Sequence, residues 1–147
     1  MDEGDLKLRN ATYGLFVELG RAPSVDDVAT RNGVTRDDVL RAWSRLHDDH
    51  ALVLDGTGTE LLMANPFSAL PTPHRVWAGE RSWYGNCAWD AFGICAALGS
   101  DGRVDSICPD CDGQIGFEVV DGDPGDVDLV FHCLVPASQW WDDIAFT

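Results

Sequence analysis

The stretch SWYGNCAWDAFGICAALG, residues 82–99, changes its period halfway. Its first residues close the run HRVWAGERSWYG (74–85), whose tryptophans, tyrosine and valine suit a strand and turn. From Asn86 onward the pattern becomes helical, with Asn86 as the predicted N-cap and Gly99 placed just past the last turn. Downstream, GRVDSICPDCDGQIGFEVVDG (102–122) reads as two strands around a turn, and DVDLVFHCLVPA (126–137) as a further strand. One helix among several short strands predicts an α+β region: a small sheet core with a single helix packed against it.

The residues before it follow a different pattern. ATYGLFVELGRAP carries Tyr13, Phe16, Val17 and Leu19 at helical spacing and stops at Gly20 and Pro23. Ser24 caps a second helix that has Asp26 and Asp27 in its first turn and Gly33 beyond its end. Thr35 caps a third, with Val39, Leu40, Trp43 and Leu46 as the expected buried stripe. LVLDGTGTELLMA (52–64) then reads as a hairpin turning at DGTG. Three helices and a hairpin form a winged-helix-like pattern. The expected organisation is a winged-helix-like domain over 1–64, a linker over 65–75 containing Pro66, Pro71 and Pro73, and an α+β core over 76–147.

Composition excludes several roles. The 147 residues carry a net charge of -15, which repels nucleic-acid phosphates and anionic membrane surfaces. The arginines of the third helix, Arg36, Arg41 and Arg45, are outweighed by Asp37, Asp38, Asp48 and Asp49, so that helical region is expected to pack or cover, not to bind DNA. No apolar run reaches the roughly 18 to 20 residues of a membrane helix, and MDEGDLKLRN lacks a secretory profile. A cytoplasmic protein is expected. Its five cysteines suit free thiols or metal ligands better than a disulfide framework.

Two cysteine constellations carry candidate chemistry. With Asn86 as cap, Cys87 falls in the first helical turn, where backbone N–H groups and the helix dipole would lower the thiol pKa. Asp90, three residues on, shares its face. On spacing alone two readings stand: a small buried cysteine beside an aspartate that favours a helix start, or a thiol and an acid forming one reactive site. Trp83, Trp89 and Phe92 around Asp90 would raise its pKa and suit it to proton donation. The second constellation is CPDCDG (108–113), where Cys108 and Cys111 on a turn make half of a zinc site. His132, Cys133 and Cys95 are the available partners. On a strand His132 and Cys133 would face opposite ways, one of them towards the core. His74, between Pro73 and Arg75, reads as exposed rather than as a ligand.

SWYGNCAWDAFGICAAL followed by GRVDSIC resembles the core signature of the alkylmercury lyase, or organomercurial lyase, family. There an aromatic-Tyr-Gly-x-Cys-Ala-x-Asp segment precedes an Arg-Val-x-Ser-x-Cys strand. The resemblance extends over residues 10–147 and is specific over 83–108. It implies protonolysis of a carbon–mercury bond to a hydrocarbon and Hg(II), with Cys87 as the mercury-binding thiolate, Asp90 as the proton donor and Cys108 at a structural position. It implies no required cofactor, mercury as substrate and product, and small organomercurials and cellular thiols as partners. The family's second mercury-binding cysteine follows a strand ending in Pro, an acidic stretch and a Phe. LVFHCLVP and ASQWWDDIAFT fit that lead-in, which places the second cysteine at or beyond Thr147 and suggests a truncated chain. Within these residues Cys133, Cys95 or Cys111 would have to stand in. The alternative is a non-catalytic homologue, regulatory or not, that holds zinc, copper or mercury through its thiols.

Overall fold

The computed structural model of the chain describes residues 1–144. Three helices come first: α1 (Glu3–Leu19), α2 (Val25–Asn32) and α3 (Arg36–Asp48). Each opens with a reciprocal capping box, Asp2 with Asp5, Ser24 with Asp27 and Thr35 with Asp38, which satisfies amides that helix starts leave unpaired. Helix α1 therefore begins at Glu3, a full two turns before the apolar spacing that announces it. Its early buried face is partly polar, holding Asp5, Leu8 and Thr12. Asp5 is paired with Arg45 of α3, whose Nε lies 3.1 Å from both carboxylate oxygens. Thr12 accepts from the Trp43 indole at 3.0 Å and donates to the Leu8 carbonyl. The buried stripe of α3 is Val39, Ala42, Trp43 and Leu46; Leu40 is half-buried at its margin.

The helices are followed by β1 (Val53–Leu54), β2 (Leu61–Ala64), β3 (Phe67–Ser68), β4 (Arg75–Ala78), β5 (Arg81–Gly85), α4 (Ala88–Leu98), β6 (Gly102–Ile107) and β7 (Gln114–Val119). These strands form one antiparallel sheet of seven in the order β1-β2-β3-β5-β4-β6-β7. β1 and β2 enclose the expected turn, where the Asp55 carboxylate accepts from the Thr59 and Glu60 amides and the Thr57 hydroxyl, bonds that hold its pKa down at about 2. The proline-rich stretch 65–75 contains β3, which pairs with β2 on one side and β5 on the other, so the sheet continues from the hairpin to β7.

Two apolar cores result. One fills the space among α1, α2, α3 and the β1–β2 hairpin around Trp43. The other lies between the sheet and α4, built on Phe67, Val76, Trp83, Ile94 and Val104, and Phe16 of α1 joins it. Phe16 stacks on Phe67 with ring centroids 5.3 Å apart, and its carbonyl accepts from the Trp83 indole at 3.0 Å. Helix α1 is thereby tied to β5, the strand that leads into the candidate site.

The expected strand over 126–137 does not form. Residues 128–134 are exposed coil, Val130 at 92% and Leu134 at 77% of their surface, and the short 3₁₀ helix Ala137–Asp142 follows. A strand exists only through its ladder, and among the described residues this segment pairs with no neighbour; β7 hydrogen-bonds β6 alone. Consequently His132 and Cys133 are both exposed, and neither enters the core. The Phe146 end of the acidic lead-in and Thr147 lie outside the described residues.

Gly85 closes β5 and lets α4 start where it does. A Cβ there would stand 2.9 Å from the Ala91 amide nitrogen and 3.2 Å from the Ala91 Cα and Asp90 carbonyl carbon, all backbone atoms of α4. Gly85→Ala is expected to push α4 away from the strand and to lower stability by about 2 kcal/mol, as overpacking does. Urea unfolding checks this; an unchanged midpoint would mean that α4 yields without cost.

Candidate active site

The turn from β5 into α4 places two side chains face to face. Cys87, not Asn86, is the N-cap residue of α4, with extended backbone angles (φ -142, ψ -179). The helix thus starts one residue later than the Asn86 cap predicts, because the Asn86 side chain is engaged elsewhere: its amide donates to Asn65 Oδ1 at 3.0 Å and it also hydrogen-bonds Asp90. Cys87 Sγ points at Asp90 Oδ2 across 3.7 Å, a contact that the i,i+3 spacing along α4 makes available. Both residues are half-buried.

Burial dominates the electrostatics of the pair. It raises the Asp90 pKa from its ordinary value, against the lowering effect of hydrogen bonds from Asn86 and Cys87. It raises the Cys87 thiol as well, with the Asp90 charge adding to the shift, although backbone amides at the helix start act the other way. The low-pKa thiol expected from helix position alone is therefore reversed: loss of solvent outweighs the N–H groups. Cys87 Sγ is thus the donor to a carboxyl whose pKa, like its own, is raised by burial. Since the thiolate is the nucleophile, Cys87 is expected to react slowly with iodoacetamide at neutral pH. Asp90→Asn, by removing the raising influence of the Asp90 charge, should speed that reaction while burial keeps it below the rate of an exposed cysteine. Peptide mass spectrometry of timed samples measures both rates, and an unchanged Cys87 rate in the variant would break the electrostatic link.

Around this pair lies a cavity of about 640 Å³, within the range of small-molecule sites. Its walls come from the start of α4, the β6–β7 end of the sheet and the coil 127–135. Trp89, 61% exposed, leans on Phe131 of that coil with centroids 6.0 Å apart, and Phe92 stacks on Phe117 of β7 at 5.1 Å. Of the aromatics expected around Asp90, Phe92 lines the cavity and Trp89 stands at its rim, whereas Trp83 is committed to the core. Cys108 and Cys133 also line it. Cys133 Sγ donates to the Val135 carbonyl at 3.0 Å. Cys95 is buried in the core behind α4, and Cys111 is exposed at the tip of the β6–β7 turn.

Two backbone hydrogen bonds close that turn: the Cys108 amide donates to the Gly113 carbonyl at 2.9 Å and the Asp112 amide to the Cys108 carbonyl at 3.0 Å. Backbone amides of Asp110 and Cys111, with the Cys111 thiol, direct hydrogen bonds at Cys108 sulfur and hold its pKa below the ordinary thiol value. Among the described residues, no three His, Cys, Asp or Glu side chains gather closely enough to hold a metal ion. The ligand set that zinc would need is not assembled around the Cys108–Cys111 turn.

Two residues of the cavity escaped sequence reading. His74 is half-buried, not exposed, because β4 turns it onto the sheet face, where its Nδ1 lies 2.8 Å from Ser106 Oγ of β6; burial lowers its pKa. Asn86 resembled a simple cap, and its contact with Asp90 depends on Asn65, which is 21 positions away in the chain.

A model of the alkylmercury lyase family matches residues 67–147. Among solved structures, a crystal structure of the mercury-bound form of MerB2 is similar at a TM-score of 0.63 and 20% identity, over 84% of this chain and 58% of that one. The chain therefore spans somewhat over half the length of that protein, and at such identity the likeness concerns the fold. No curated protein matches the sequence.

Proposed function

The chain belongs to the alkylmercury lyase family, and on that premise we propose that it cleaves carbon–mercury bonds by protonolysis at Cys87 and Asp90. The observation that carries this reading is the Cys87 Sγ to Asp90 Oδ2 contact of 3.7 Å in the wall of a cavity. Mercury is the substrate's own atom, and the chain supplies the ligand and the acid. As the organomercurial enters, Cys87 sulfur bonds to mercury and its proton passes to Asp90, the acceptor already facing it. Sulfur donation loads electron density onto the metal and weakens its bond to carbon. Asp90, its proton-bound form favoured by burial, then protonates that carbon. The hydrocarbon leaves and Hg(II) stays on Cys87 together with the ligand that it brought, so the thiol proton ends on carbon, one sulfur–mercury bond replaces one carbon–mercury bond, and no resident cofactor is needed.

A second thiol would then replace the incoming ligand, which departs with the thiol proton, to give Hg(II) held by two sulfurs, and Cys133 is the candidate on the coil that walls the cavity. Small thiols of the cell would then carry mercury away. Five free cysteines suit the reducing cytoplasm in which such thiols are abundant. The N-terminal unit, three helices and a hairpin in winged-helix-like order, serves in this reading as a support for β5 through Trp83 and Phe16. The test is conversion of phenylmercury to benzene by the purified chain in excess monothiol, followed by gas chromatography. Benzene in proportion to protein is expected; none above the protein-free blank would overturn the reading.

A further inference from the structure

We propose that Cys108 and Cys111 form a separate two-thiol site for Hg(II), a receiving station between the cavity and solvent. The inference rests on the lyase reading for the origin of the mercury, and on its own geometry for the site. The two cysteines stand three positions apart on one tight turn, which the Cys108 backbone closes at both its amide and its carbonyl. The turn is held by the closing bonds between Cys108 and Gly113 and between Asp112 and Cys108, and it sits at the end of the β6–β7 ladder, whose last pair is Ile107 with Gln114. Cys108 lines the same cavity as Cys87, whereas Cys111 stands in solvent. One sulfur therefore faces the place where Hg(II) is formed and the other faces the medium.

The chemistry of the ion fits two ligands better than it fits a cage. Hg(II) is soft and accepts two thiolates in line, so the gathering of three or more donors that zinc needs is not required. The flanking Asp110 and Asp112 add negative charge beside a dication. Transfer is ligand exchange without oxidation. Cys108 sulfur bonds to mercury as the Cys87–mercury bond breaks, and the proton that Cys108 gives up ends on the released Cys87 sulfur. Cys111 then bonds to mercury, and its proton goes to solvent or to the departing second ligand. Two thiols joined by one turn act at high effective concentration, so a monothiol competes poorly until it attacks from the exposed Cys111 side.

The test uses inorganic mercuric chloride, so it is independent of carbon–mercury cleavage. The Cys87→Ser chain, fully reduced, is loaded with mercuric chloride, equilibrated with excess glutathione, desalted and assayed for mercury. It should retain one equivalent, and adding Cys111→Ser should weaken retention at least about tenfold by loss of chelation. Serine at an exposed turn position is compatible with folding, which circular dichroism verifies. Equal retention with and without Cys111, or none in Cys87→Ser itself, overturns the site. The relay is tested in the intact chain: after one turnover of phenylmercury without added thiol, Cys108 and Cys111 should be protected from alkylation. Benzene formed with both cysteines still reactive would overturn the transfer alone, whereas no benzene would count against the lyase reading and leave the retention result standing.

Discussion

In Cys87→Ser the release of benzene from phenylmercury should fall to the protein-free background, and in Asp90→Asn it should fall by about 10²–10⁴-fold, the usual contribution of a positioned acid. The first change removes the soft ligand that binds and activates mercury. The second leaves sulfur in place and removes the proton donor, so phenylmercury should still bind to Asp90→Asn and remain uncleaved. Gas chromatography of benzene and mercury analysis of the desalted protein separate the two outcomes. Full turnover in both variants would end the proposed role of the pair.

Asp90→Asn carries a second expected result with the opposite sign. Burial raises the Asp90 pKa in the folded chain, so the folded state binds more protons than the unfolded state between the ordinary carboxylate pKa and the raised one. Stability therefore declines as pH rises through that window, and above it the full penalty remains. Asparagine has no charge to desolvate. The variant should melt at a higher temperature than the parent at neutral pH, with the difference shrinking on acidification. A residue that merely favours the helix start would give the reverse, because its loss would weaken α4 at neutral pH.

Trp83→Ala should lower the stability of the fold by about 4 kcal/mol, the range found when a buried aromatic is truncated. Trp83 is 4% exposed, packs against Phe67 with centroids 6.3 Å apart and donates its indole N–H to the Phe16 carbonyl. The Phe16 carbonyl keeps the Gly20 amide as a donor, so the loss is mostly packing and cavity formation. For a chain of this size the melting temperature should drop by on the order of 10 °C. Trp83→Phe, which keeps most of the volume, should recover the larger part. Calorimetry on both variants decides it, and a loss below about 1 kcal/mol in the alanine variant would show that the second core closes over the gap.

What local chemistry encodes could be read in advance. Ser24 and Thr35 announced their helices because a hydroxyl that caps an amide does so from its own position in the chain. The start of α1 was missed because its buried face there holds Asp5 and Thr12, whose burial depends on Arg45 and Trp43. The strand expected over 126–137 had the apolar content but among the described residues no ladder to join, and no local pattern reports a missing partner.

By itself the sequence determined the α+β class, the three-helix start, the family signature and the placing of Cys87 and Asp90 on one face, because helical spacing and capping act within a few residues. Tertiary structure decided what that pair is. Burial of the site, whose cavity is walled by elements as far apart as β6, β7 and the coil 127–135, raises both pKa values, where helix position alone would lower that of the thiol. Desolvation depends on every group that excludes water from a point in space, and their positions along the chain do not reveal it.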